Sequence, residues 1–133
     1  MFTTIFGLFI ILHGLVHLLY FGQSRRILLL HPDMDWPDDS WAFSRLLDYD
    51  VIGILASISC VVATIGFVAG GLGILLRLEW WRPLVVGTAV FSAALFILFW
   101  DGEKRRMANQ GGVDVLINIA ILLVVLVIQW PNF

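Results

Sequence analysis

The first apolar run, residues 2–22, constrains the chain more than any other stretch. It reads FTTIFGLFIILHGLVHLLYFG, carries no charge, and is polar only at Thr3, Thr4, His13, His17 and Tyr20. At about 1.5 Å rise per residue, a helix of this length crosses roughly 30 Å, the thickness of a bilayer's hydrocarbon core. His13, His17 and Tyr20 stand at i, i+4 and i+7. With about 100° of turn per residue they share a sector of about 60°, and Ser24 continues that stripe to the membrane edge. A polar side chain facing lipid loses its hydrogen bonds to water and gains none, so the seam is expected to face other helices or a wet cavity.

The rest of the chain repeats the pattern. Hydrophobic side chains make up 60% of the residues and charged ones 14%, and the mean hydropathy of +0.95 is that of an integral membrane protein. The first run has no basic flank before it and no small-x-small site after it, so it is expected to be a retained span and not a cleaved leader. Further apolar runs at about 51–76, 80–100 and 113–130 predict a single domain, an all-α antiparallel bundle of four transmembrane helices. One long loop, 23–50, joins the first two. Its Pro32, Pro37, Asp33, Asp35, Asp38 and Asp39 read as a solvated, turn-rich segment. Ser40 can cap a short interfacial helix near 40–48, with Trp41 at headgroup level. In the second run Gly53, Ser57, Cys60, Thr64 and Gly71 share one face and Ala56, Ala63 and Gly70 a neighbouring one, which suits a central helix packed closely on both sides. Arg77, Leu78 and Glu79 allow only a tight hairpin. Trp80, Trp81, Arg82 and Pro83 open the third run as two interfacial anchors, a basic flank and a first-turn proline. Thr88 and Ser92 are expected to bond their own backbone or a neighbour.

Lysine and arginine give the orientation. The loops after the first and third runs hold Arg25, Arg26, Arg45, Lys104, Arg105 and Arg106, against Arg77 and Arg82 on the other side. The excess predicts that loops 23–50 and 101–112 are cytoplasmic and both termini lie outside, in a prokaryotic cell membrane. The basic residues form no continuous stripe, so a nucleic-acid partner is not expected. The single cysteine, Cys60, excludes an intrachain disulfide.

The helical rise also places polar groups in depth. His17 lies about 6 Å from His13 toward the long-loop side; Asn118 and Asp114 lie about 4.5 Å and about 10 Å toward that side from the middle of the last run. The pairs overlap, so His17 is expected to meet Asp114 or Asn118, with Tyr20 beside them and Asp50, Trp100 and Asp101 around the mouth. Such a cluster suits several roles: a buried network that sets helix register, a ligand site for a quinone, a lipid or a haem edge, or a proton or cation pathway. No metal is expected; His13, His17 and Asp114 would be the candidates for a two-histidine, one-carboxylate set. Two histidines one turn apart on one helix cannot be opposite axial ligands of one haem, and His31, beside Pro32, is the only other histidine. Asp114 also suits the positive end of its own helix. Nothing resembles a catalytic signature, so an accessory or ligand-binding subunit is expected before a free-standing enzyme. The bilayer is one partner, with further copies or a larger membrane complex as others.

The element His13-Gly14-Leu15-Val16-His17-Leu18, with Trp80-Trp81-Arg82-Pro83 opening the third run and Phe99-Trp100-Asp101-Gly102 closing it, resembles small four-span membrane proteins with an HGxxHL first span and, more broadly, the DoxX-like group. That resemblance implies a four-helix bundle and an association with quinone-linked redox chemistry. It carries no catalytic residue over to this chain.

Overall fold

The computed structural model describes residues 1–25, 27, 36–37, 40–100, 102 and 112–132. Among them helix is the only regular secondary structure: α1 (Phe2–Ser24), α2 (Tyr49–Leu75), α3 (Trp81–Leu98) and α4 (Val113–Leu122), the last running on into a π-turn, Leu123–Val127. The first three are long and apolar enough to cross a membrane; the fourth, Val113–Val127, is apolar but shorter. α1 packs on α2, α2 on α3 and α3 on α4. Neighbours run antiparallel, because the end of α1 meets the start of α2 and the start of α3 meets the end of α4. Ser24 and Ser57 share a hydrogen bond of 2.7 Å at the first junction, and Arg82 reaches the Val125 carbonyl at 3.1 Å at the second. The loop aspartates, His31, Asp101 and the basic cluster at 104–106 lie outside the described residues.

Small residues give α2 its central place. A Cβ on Gly71 would stand 2.8 Å from the Gly7 carbonyl oxygen and 3.1 Å from the Ile11 nitrogen, so α1 and α2 touch backbone to backbone there. One turn pair further along, Thr64 donates to the Gly14 carbonyl at 3.0 Å. Gly66, Gly70 and Gly73 form a second face, against Thr88, Val85 and Trp81 of α3. Where lipid is as apolar as the side chains, close packing of this kind is what holds helices together.

The helix ends are closed by distinct devices. α2 stops in a Schellman turn, the Leu78 N–H reaching Gly73 O at 2.8 Å and the Arg77 N–H reaching Ile74 O at 3.2 Å, with Arg77 in the left-handed region at φ 57°. The Arg82 guanidinium donates to the Val125 and Pro131 carbonyls, 3.1 Å each, and so caps the C-terminal end of α4. The flank arginine of the sequence is thus an interhelical clamp. Its neighbour Trp81 is buried against Gly73, leaving Trp80 as the exposed anchor of the pair. Residues 40–47 form successive turns and no regular helix. They dock on the end of α3: Trp41 Nε1–H donates to Ile97 O at 2.6 Å, the Ser40 hydroxyl to Leu98 O, and the Trp41 N–H to Trp100 O at 2.8 Å. The Ile97 and Leu98 carbonyls lie in the last turn of α3 and have no partner within it, and the docked segment supplies one to each.

Candidate functional site

The polar seam of α1 faces inward. His13, His17, Tyr20, Gln23 and Ser24 are buried, while Leu8, Leu12, Leu15 and Leu19 are exposed on the opposite side. What His13 meets is α4. Its Nε2–H donates to Asn118 Oδ1 at 2.8 Å, and its Nδ1 stands 3.8 Å from Asp114 Oδ1, an ion-pair distance too long for a hydrogen bond. His17 does not reach Asp114 or Asn118. Four residues along a helix advance the side chain by about 40° as well as about 6 Å, and that rotation turns His17 toward α3. There its Nε2 lies 2.6 Å from Ser92 Oγ.

Donors and acceptors around the cluster allow one consistent reading. A backbone carbonyl only accepts, so the contact of 3.0 Å from His17 Nδ1 to His13 O puts the proton on Nδ1 and leaves Nε2 as an acceptor. The Ser92 hydroxyl therefore donates to His17 Nε2 and in turn accepts from Asn118 Nδ2–H at 2.9 Å. Asn118 Oδ1 accepts the hydrogen bond from His13 Nε2–H. The chain runs from His13 through Asn118, Ser92 and His17 and closes on the carbonyl of His13. His17, Ser92 and Asn118 are 0% exposed. Aromatic rings wall the ring of bonds: Phe67 lies against both imidazoles, centroids 4.8 Å and 5.5 Å away, and Phe96 against His17 at 5.5 Å.

Asp114 stands apart from this closure. It is 5% exposed, and among the described residues its Oδ2 has no hydrogen-bond partner. It lies in the first turn of α4 without making a side-chain capping bond, so the helix dipole is the only local reason for its place there. Tyr20 sits in the next layer toward the long loop, packed edge-on against Phe96 at 4.7 Å and Trp36 at 5.3 Å. Trp36, 1% exposed, plugs this end of the bundle over Tyr20, Phe96 and Phe99. Of the expected mouth residues, Asp50 is exposed at the start of α2, and Trp100 is half-buried beside the docked loop. Among the described residues no three metal-ligating side chains converge. Three of the four imidazole nitrogens are engaged in hydrogen bonds, and the fourth, His13 Nδ1, faces Asp114.

Ser92 and Trp36 complete the site without having stood out in the sequence. Ser92 is one hydroxyl in an apolar run, and its only signal was the i, i+4 spacing from Thr88, whose own hydroxyl bonds Leu84 O at 2.7 Å. Comparison of the chain with protein-family models, with curated proteins and with solved structures finds no match.

Proposed function

We propose that the protein is an accessory membrane subunit that binds a small hydrogen-bonding ligand at Asp114, beside the closed ring of His13, Asn118, Ser92 and His17. The observation that carries this reading is Asp114 Oδ2, enclosed and unpartnered among the described residues beside side chains that satisfy one another. An unpaired buried polar atom costs about 1–3 kcal/mol, a cost that a ligand hydroxyl or N–H bonded to the carboxylate removes. A quinol offers such a hydroxyl, which agrees with the redox association that the DoxX-like resemblance implies. A through-going proton path is less well supported, because the hydrogen-bond chain ends on the His13 carbonyl and leads to neither membrane face.

Quinol binding to the purified protein in nanodiscs, followed by tryptophan fluorescence, tests this directly. Asp114→Asn keeps the shape and removes the charge; it should weaken binding roughly tenfold or more, the range for a hydrogen bond to a charged group. Equal binding by both proteins, or none by either, sinks the reading.

For the membrane, we place loops 23–50 and 101–112 in the cytoplasm and both termini outside, on the lysine and arginine count. A phosphatase that is active only outside the cytoplasm, fused after Phe133, should then be active, and a fluorescent reporter that matures only in the cytoplasm should stay dark. The opposite pattern reverses the orientation. Assembly with further copies or a larger membrane complex fits a subunit whose carboxyl group waits for a partner molecule.

A further inference from the structure

A second feature lies on the lipid face of α1 and α2, away from the polar ring. A groove of about 330 Å³ is lined by Phe21 of α1, by Arg25 just past its end, and by Ile54, Ser57, Ile58, Val61 and Val62 of α2. Its walls are hydrocarbon. Ser57, the one hydroxyl among them, is turned to Gly53 O at 2.6 Å and to Ser24 Oγ at 2.7 Å. From Ile54 to Val62 the groove descends about 12 Å along α2, and Val62 is the middle residue of that helix. It therefore runs from the membrane edge to about the midplane, the depth of one leaflet's hydrocarbon, about 15 Å.

The edge is marked by Arg25, exposed, following the last turn of α1, and with no carboxylate within 4 Å among the described residues. Asp50, one turn before Ile54, does not line the groove. A cation at headgroup level above a leaflet-deep apolar trough matches one chemistry, an anion joined to a long alkyl chain. We infer that this groove is a binding site for an anionic phospholipid, one acyl chain lying along Ile54, Ile58 and Val62 and the phosphate on Arg25. Juxtamembrane basic residues attract anionic headgroups, and the groove adds a chain contact that a bare arginine lacks. The site is independent of the Asp114 ligand.

Native mass spectrometry of the full chain tests it, with release from phosphatidylcholine nanodiscs that contain a minor share of phosphatidylglycerol. The expected result is retention of one phosphatidylglycerol per chain in preference to phosphatidylcholine. Arg25→Gln should weaken that retention about fivefold, while Arg25→Lys keeps most of it. Ile58→Trp, at a position 57% exposed and so tolerant of a larger ring, fills the trough and should expel the lipid with the charge still present. Equal retention of the two lipids, or retention indifferent to both Arg25→Gln and Ile58→Trp, overturns the proposal. So does loss with Arg25→Gln alone, which would mean a surface charge without a chain site.

Discussion

Asn118→Ala should destabilise the bundle by about 2–4 kcal/mol in thermal unfolding in detergent, among the largest effects of any polar substitution in the chain. A lone interhelical hydrogen bond in a membrane protein averages only about 0.6 kcal/mol, because the unfolded chain in the membrane also finds partners. Asn118 is not a lone bond. It accepts from His13 Nε2 and donates to Ser92 Oγ in a fully enclosed site, so its removal strands a buried N–H and leaves a void at 0% exposure. Asn118→Leu separates these two terms: it restores most of the volume and none of the hydrogen bonds, and should recover part of the loss. Adding His13→Phe to Asn118→Leu removes both partners and should recover more, since replacing a whole pair costs less than orphaning half of it. The contact of His13 with Asp114 is lost in the single His13→Phe variant and in the double variant alike, so it cancels from the coupling energy. Additive losses within about 0.3–0.5 kcal/mol would mean that the two side chains do not interact, and the ring as described would fall.

What could be read from the residues divides along physical lines. The places of the four helices followed from apolar length, although the fourth, Val113–Val127, is shorter than the run 113–130 suggested, and the inward turn of the α1 seam followed from the cost of exposing imidazole to lipid; His13, His17 and Tyr20 are all buried. The central place of α2 followed from its small residues, since Gly71 and Thr64 can only serve close approach to α1 and Gly70 to α3. Level along the bundle was legible only to within a turn or two, because it was counted from the middle of each run: the count set Asp114 about 10 Å from His13 along the axis, yet His13 Nδ1 stands 3.8 Å from Asp114 Oδ1. Azimuth was not legible. The 40° or so between His13 and His17 decides which meets α4 and which meets α3, and nothing in one sequence sets how four helices rotate about their axes. Ser92 was expected to bond its own backbone or a neighbour, and it bonds neighbours; that its hydroxyl joins two partners from other helices was not legible, since that depends on how those helices turn. Arg82 looked like an interfacial charge because its partners, the Val125 and Pro131 carbonyls, are backbone groups that leave no mark in the sequence.

Gly71→Val should cost about 3 kcal/mol or more, and Gly87→Ala should be neutral or gain up to about 1 kcal/mol. The two glycines carry the same conformational liability inside a helix, so beyond the roughly 0.7 kcal/mol or less by which valine is a poorer helix former than alanine, the difference between them reports packing. At Gly87 a Cβ meets nothing within 4 Å, and alanine only removes backbone freedom from the unfolded chain. At Gly71 the first added carbon meets Ile11 Cγ1 at 2.5 Å, which can swing aside, but also the Gly7 carbonyl oxygen at 2.8 Å and the Ile11 nitrogen at 3.1 Å, which are backbone and cannot. The helices must then separate along their whole contact. That separation stretches the Thr64 bond to the Gly14 carbonyl, and Gly14 stands between the two imidazoles. Moving α1 outward draws His13 from Asn118 and His17 from Ser92 together, so the same substitution should also abolish the quinol binding proposed at Asp114, which none of its atoms touches. Thermal unfolding and quinol titration of the two variants, run side by side in one detergent, check both halves. A Gly71→Val protein as stable as the parent would show that α1 and α2 do not lie backbone to backbone, and the placement of the histidines would lose its support.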